Sequence, residues 1–209
     1  MVVNQMNIPQ VHAPKAAEPA LKMLTGFLES RVKGGASFKA DETIQCGWMW
    51  FKIGQDHGGG LAVLAPKPGV MPMQFEPDCS AALNLVLVQK YVCDSFGVNP
   101  SLCSAAQSAI AVKDLANCKD IFMNRLEEAS ERSSGWFFGA ADSQLDSDVA
   151  DNLELKSLWE LACHVPAAHE FFLLPPTWQV FFSEPPMVLR DSEPVSPREG
   201  SYFARKYPG

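Results

Sequence analysis

The 209-residue sequence lacks the short motifs that mark most enzymes and metal sites. It has no G-x-S-x-G nucleophile elbow, no H-E-x-x-H pair, no P-loop and no G-x-G-x-x-G turn opening a helix. Its six cysteines form no C-x-x-C pair, which disfavours a zinc site or disulfide scaffold and indicates buried thiols in a reducing compartment. We therefore expect a protein that is not an enzyme, with no catalytic residue, no cofactor and no metal.

Metal-binding patterns are incomplete where they are suggested. His164 and His169 lie five residues apart, so they do not share a helical face as two zinc ligands would. The acids Asp146, Asp148 and Asp151 invite a calcium interpretation, but the central glycine and final glutamate of an EF-hand loop are missing.

Long apolar runs are also absent. No stretch reaches the ~18 apolar residues that a membrane-spanning helix needs. Residues 1–9 have neither a basic segment nor an apolar run, so we expect no signal peptide. Both features predict a cytoplasmic protein that does not bind the membrane.

Positive charge is scarce in the second half of the chain. Residues 1–112 contain eight basic and eight acidic residues, whereas residues 113–209 contain nine and sixteen, so the second half carries the whole net charge of −7. Phosphate binding requires the opposite sign, so nucleic acid is disfavoured as a partner. A basic protein is the expected partner.

The acidic residues are concentrated after an aromatic segment. Between Ser133 and Leu155 there is no Lys or Arg, but there are five carboxylates: Asp142, Asp146, Asp148, Asp151 and Glu154. One interpretation is a solvated loop that keeps the protein soluble. The other is a surface that meets a cationic partner, because an uncompensated patch costs self-repulsion unless a partner offsets it.

Periodicity and turn residues predict an α+β fold. In the first half we expect a helix over 19–31 ended by Gly34, strands over 44–53 and 60–64 joined by a glycine-rich turn, and a buried helix over 79–96. Asp78 is the expected N-cap of that last helix, and Gly97 its end.

The second half begins with an apolar run over 109–112. Apolar residues at spacings of three and four from Leu115 to Ala129 predict an amphipathic helix. We expect a strand over 136–140, the acidic loop, a helix or extended-to-helix segment over 153–163, a short helix over 166–173 and a final strand over 177–182. The predicted organisation is an N-terminal unit (1–108), a second domain (109–184) and an irregular C-terminal tail (185–209).

Part of this pattern resembles a known family. The order of a helix, Ser134-Gly135-Trp136, the acidic segment and the Leu173-Leu174-Pro175 turn is similar to a small immunity-protein domain of bacteria. That domain is found beside polymorphic and type VI secreted toxins, and the resemblance covers about Ile110 to Glu184. It implies a protein that neutralises a toxin.

The resemblance and the charge together predict an inhibitor of a cognate toxin that acts in the cytoplasm, with a basic nuclease domain as the expected target. The predicted partner-binding residues are Asp142, Asp146, Asp148, Asp151, Glu154 and Trp136. Trp136 is either a core ring or an interface anchor. Two other functions stay open: an enzyme with an unrecognised small-molecule site, or a chaperone or adaptor for a secreted effector.

Overall fold

The computed structural model describes residues 8–56, 58–127 and 130–208. Its helices and two sheets confirm the predicted α+β class. The chain divides into two compact units, Met1–Leu87 and Val88–Gly209. The domain boundaries predicted after residues 108 and 184 stay predictions.

The first unit contains helix α1 (Glu18–Lys33), a four-stranded antiparallel sheet and the beginning of helix α2 (Ser80–Phe96). The strands follow chain order: β1 (Thr43–Cys46), β2 (Met49–Gln55), β3 (Leu61–Pro66) and β4 (Phe75–Glu76). Both predicted helices are confirmed.

Local chemistry explains these elements. The carboxylate of Asp78 accepts the N–H of Ser80 at 2.9 Å and so begins α2 as predicted. Gly97, with φ of +69°, follows its last residue. The strand predicted over 44–53 is instead two strands, because Gly47 has φ of +63° and turns the chain between β1 and β2. His57, in the predicted turn between β2 and β3, lies outside the described residues.

The second unit is built on a seven-stranded mixed sheet. Its strands are β5 (Ser108–Val112), β6 (Ile121–Arg125), β7 (Ser133–Ala140), β8 (Leu153–Ser157), β9 (Trp178–Phe181), β10 (Met187–Arg190) and β11 (Glu193–Pro194). Their order is β11-β10-β9-β6-β7-β5-β8. The remaining elements are helices α3 (Leu158–His164) and α4 (Tyr202–Lys206) and 3-10 turns at Leu115–Asn117, Ala150–Asn152 and Pro166–Phe171.

The amphipathic helix predicted from Leu115 to Ala129 is wrong. The described part of this segment has one 3-10 turn and then strand β6, which pairs with β7 on one side and β9 on the other. In β6 the side chains of Met123 and Arg125 are buried on the same face of the strand, whereas Phe122 and Asn124 are partly exposed. Pairing on both sides outweighs the helical spacing. Ala129 lies outside the described residues.

The core of this unit lies against one face of the sheet. Met123, Trp136 and Phe138 on the central strands are at most 1% exposed. Phe172, after the last 3-10 turn, contacts the rings of Trp136 and Phe138 at centroid distances of 6.4 Å. The predicted extended-to-helix segment is confirmed as β8 followed by α3.

The C-terminal tail is more regular than predicted. Residues 185–209 were expected to be irregular, but they include β10, β11 and α4. Phe203 of α4 is buried, and its ring lies 5.0 Å from that of Phe96 and 6.1 Å from that of Phe171. These aromatic contacts hold the segment on the unit despite its prolines.

Candidate functional site

The predicted acidic residues lie in one connection. The acidic loop, residues 141–152, joins β7 to β8, and Asp142, Asp146, Asp148 and Asp151 are all exposed within it. Glu154 follows in β8. The loop therefore brings its four aspartates to the end of the sheet where β7 stops and β8 starts.

Two aspartates hold the loop in place. The carboxylate of Asp142 accepts the backbone N–H groups of Lys119 at 2.9 Å and Asp120 at 3.1 Å, and these bonds hold its pKa below the usual value. Asp114 accepts the hydroxyl of Ser143 at 2.8 Å and the N–H of Gln144 at 3.1 Å. The first part of the loop is thus tied to the segment before β6.

The second part of the loop is held by hydrogen bonds between side chains and backbone groups. The side-chain amide of Asn152 donates to the carbonyl of Asp146 at 2.9 Å, and the ammonium of Lys113 donates to the carbonyl of Asp151. The carboxylate of Asp146 accepts the N–H of Asp148 at 2.9 Å. These bonds order the loop and leave most of its carboxylate oxygens facing solvent.

The carboxylates of Asp146, Asp148 and Asp151 have no cationic partner. Among the residues that the structure describes, no Lys, Arg or His side chain forms an ion pair with any of the three. Their negative charge is exposed and is not neutralised by an ion pair among these residues, although the ammonium of Lys113 lies close to Asp151 through its bond to that residue's carbonyl.

Glu154 differs from the loop aspartates. Its carboxylate lies 3.5 Å from the ammonium of Lys156, which also binds Glu160 at 2.6 Å. The hydrogen bond with Glu160 raises the pKa of Lys156. The charge of Glu154 is therefore partly neutralised within the protein.

Trp136 does not lie on this surface. Its side chain is 1% exposed, and its indole N–H donates to the carbonyl of Phe172 at 3.2 Å. The structure therefore places the ring in the core, the first of the two interpretations that its sequence position allowed. A direct contact between a partner and this ring would require the core to open.

Sequence reasoning missed Arg125. Its guanidinium is buried and donates to the carbonyls of Ser101, Phe172 and Leu174 at 2.8, 3.1 and 2.6 Å. Burial lowers its pKa. The sequence gives no clear signal of this burial, because Arg125 shares a face with Met123 only when the segment is a strand, and the helical interpretation placed it on a solvated face.

The described residues can be searched for metal ligands, reactive thiols and pockets. In residues 8–56, 58–127 and 130–208, no group of three His, Cys, Asp or Glu side chains is arranged to hold a metal ion. Burial raises the pKa of the Cys79 and Cys93 thiols to about 12, so neither is a thiolate near neutral pH. A pocket of about 450 Å³ in the first unit is lined mainly by apolar atoms, and His12 and Asp56 are among its lining residues.

None of the described helices is both long enough and apolar enough to cross a bilayer. No curated protein and no solved structure gives a significant match to the chain. One family does match, over a segment that includes the Ile110–Glu184 region of the predicted resemblance. Residues 88–191, about half of the chain, match the family model of the Imm33-like domain, so this segment is similar to a family of immunity proteins.

Proposed function

We propose that this protein is an immunity protein that binds a cognate secreted toxin in the cytoplasm and inhibits it through the acidic loop. The toxin is proposed to be a nuclease delivered in bacterial competition, as a polymorphic or type VI toxin. The similarity of residues 88–191 to the Imm33-like domain supports the immunity role. We also propose that the Ser134-Gly135-Trp136 pattern is characteristic of this family.

One observation carries the nuclease assignment. Asp146, Asp148 and Asp151 are exposed and form no ion pair with any residue that the structure describes, and bonds between side chains and backbone hold their loop in place. A nuclease must hold a polyanion, so its active site presents Lys and Arg. Carboxylates at fixed positions can occupy such a surface in place of phosphates, and their order lowers the entropy cost of binding.

Inhibition by occupancy predicts a definite stoichiometry. We propose to titrate the purified cognate toxin, with DNA and RNA as substrates, against increasing amounts of this protein. Inhibition should rise with the molar ratio and become complete near one equivalent. Inhibition should be weaker at high salt than at low salt, because at 0.1 M salt the attraction between exposed charges is largely screened beyond about 10 Å.

The same titration separates binding from catalysis. An enzyme that repairs or destroys the toxin's product would protect far below one equivalent, because each copy acts many times. Complete protection at a tenth of an equivalent would therefore contradict inhibition by binding. A chaperone or adaptor would bind the toxin without reducing its activity, which is a third distinguishable result.

A further inference from the structure

The larger sheet ends in an edge strand that carries an exposed leucine. Strand β8 is the last strand in the sheet order and pairs with β5 alone. Leu155, at its centre, is 73% exposed, the highest value among the large apolar side chains of the described residues. Burying such a side chain in a contact is favourable, because it removes apolar surface from water.

The backbone of Leu155 faces outward. At the two ends of the β5–β8 pairing, Lys113 donates to the carbonyl of Asn152 and Leu158 donates to that of Gln107, each at 2.9 Å. Because bonded residues alternate along an antiparallel pair, Glu154 and Lys156 exchange hydrogen bonds with β5, and Leu155 does not.

The opposite side of β5 agrees with this alternation. The N–H of Ser108, which is paired with Ser157, donates to the carbonyl of Arg132 at 2.8 Å, on the side of β7. Among the described residues, the N–H and C=O of Leu155 form no hydrogen bond. The free edge therefore offers one donor and one acceptor beside an exposed leucine.

Leu155 also ends a row of apolar side chains across the sheet. Its register partner is Ile110 of β5, whose partner on the next strand is Phe137. The ring of Phe137 lies 6.2 Å from that of Phe122, and all of these side chains are at least partly exposed. An apolar side chain on a further strand, opposite Leu155, would continue this row.

The usual protections of an edge strand are weak here. Natural edges are blocked by proline, by bulges or by outward charges. Strand β8 contains neither a proline nor a bulge. Its two charged residues, Glu154 and Lys156, lie on the other face from Leu155 and pair with each other at 3.5 Å. A strand-forming partner therefore meets no charge on the face of Leu155.

Resting on the proposed function, we propose that β8 is the docking edge for an extended Lys- or Arg-rich segment of the toxin, which adds an eighth strand to this sheet. Backbone bonds to an added strand supply affinity, and side chains at alternate positions supply specificity. The 3-10 turn Ala150–Asn152 leads directly into β8, so the loop aspartates lie at the beginning of the same edge. Their charge favours a basic segment. It disfavours a second copy of this chain, which carries a net charge of −7.

The first test uses peptides with the full-length protein. One ten-residue peptide alternates Lys and Val, and its matched control alternates Glu and Val. Hydrogen exchange of the Leu155 amide, followed by NMR, should slow by about tenfold or more with the Lys peptide and stay unchanged with the Glu peptide. Sedimentation should show a monomer throughout.

Two leucine variants provide the second test. Leu155→Asp places a charge on the docking edge. In this variant the Lys peptide should no longer slow hydrogen exchange of the amide at position 155. Leu126→Asp is the matched control, because Leu126 is also exposed, at 44%, and follows β6 in the interior of the sheet. It should bind the peptide as the unchanged protein does, and circular dichroism of both variants should be unchanged.

Several results would overturn the proposal. One is that both peptides slow hydrogen exchange of the Leu155 amide equally, or that neither slows it. Another is that this exchange slows as the protein concentration rises, because the protein then associates with itself. If the toxin is inhibited at one equivalent by Leu155→Asp as well as by the unchanged protein, the docking edge is wrong and the immunity function stands. If the toxin is not inhibited by the unchanged protein, the proposed function fails, whatever the peptides show.

Discussion

Arg125 and Trp136 lie opposite each other on the paired strands β6 and β7, and the guanidinium carbon of Arg125 is 5.5 Å from the centre of the Trp136 ring. Both side chains reach the same stretch of backbone, since each donates to the carbonyl of Phe172. This carbonyl follows a 3-10 turn, Pro166–Phe171, whose end carries unpaired acceptors. A buried cation and an indole N–H together satisfy that end of the turn.

Arg125→Lys should destabilise the protein, although it keeps the charge. The shorter lysine ends in a single ammonium and cannot reach all four carbonyls that Arg125 binds, those of Ser101, Leu102, Phe172 and Leu174, so buried acceptors lose their partners. We expect a loss of about 2–4 kcal/mol in the free energy of unfolding, measured by urea denaturation. Arg132→Lys, at an exposed position, is the control and should change it little. A stable Arg125→Lys protein would show that the carbonyls are satisfied in another way.

Trp136→Ala should abolish function by unfolding. Removing a buried tryptophan ring costs about 3–5 kcal/mol and leaves a cavity, here beside Phe172 and Arg125. Trp136→Phe should be milder, since it keeps most of the apolar volume and loses the hydrogen bond to Phe172. Thermal unfolding of both variants measures the difference. A Trp136→Ala protein that keeps its melting temperature but loses toxin binding would contradict the core position of this ring.

Where the chain carries its own local signals, the sequence was sufficient to predict structure. Helix α2 is an example, because the Asp78 carboxylate binds the N–H of Ser80 at its start, Gly97 follows it and most residues between them are apolar. The exposure of Asp146, Asp148 and Asp151 was predicted equally well, since they lie in a stretch, from Ser133 to Leu155, that contains no Lys or Arg. In each case the deciding interaction is local.

The failures share a different cause. The sequence around strand β6 has a helical spacing of apolar residues, and its pairing with β7 and β9, which the sequence does not show, makes it a strand. The prolines of the tail predict irregular chain. The rings that hold Phe203 in place lie far from it in the sequence, so the sequence does not show these contacts. At the candidate site, the sequence predicted Asp142 as one of the partner-binding carboxylates and not as a residue that holds the loop in place. Its bonds to Lys119 and Asp120 depend on the same unpredicted strand.

His169 should make stability depend on pH. Burial is the main cause that lowers its pKa to about 4, against 6.5 in the unfolded chain, and its ring bonds the carbonyl of Ala162 at 3.0 Å. As the pH falls from 6.5 towards 4, the unfolded state takes up the proton and the folded state does not. The free energy of unfolding should therefore fall by about 3 kcal/mol across this range.

The variant His169→Gln isolates this effect. Glutamine does not titrate, and its amide can donate to Ala162 in place of the ring. Its free energy of unfolding, measured by urea denaturation between pH 4 and pH 7, should vary less than that of the unchanged protein. An identical pH dependence of the two proteins would assign the loss to carboxylates instead.

The last prediction concerns the exposed loop charges. Replacing Asp146, Asp148 and Asp151 together by Asn removes three uncompensated charges but keeps the side-chain oxygen of residue 146 that accepts a backbone N–H. Asp142 is left unchanged so that the loop stays tied to Lys119. The melting temperature should therefore change little, because exposed carboxylates contribute little stability.

Toxin binding should respond much more strongly than stability. Removing the three charges should weaken the complex by several kcal/mol, slow association and reduce its dependence on salt. The matched control is the triple change of Glu184, Glu193 and Glu199 to Gln, which removes the same charge from exposed positions outside the loop. If the loop charges act locally, the control should bind the toxin nearly as the unchanged protein does, measured by calorimetry and stopped-flow kinetics. Equal losses in the two variants would show that net charge alone attracts the toxin, and full protection by the loop variant would remove the loop from the mechanism.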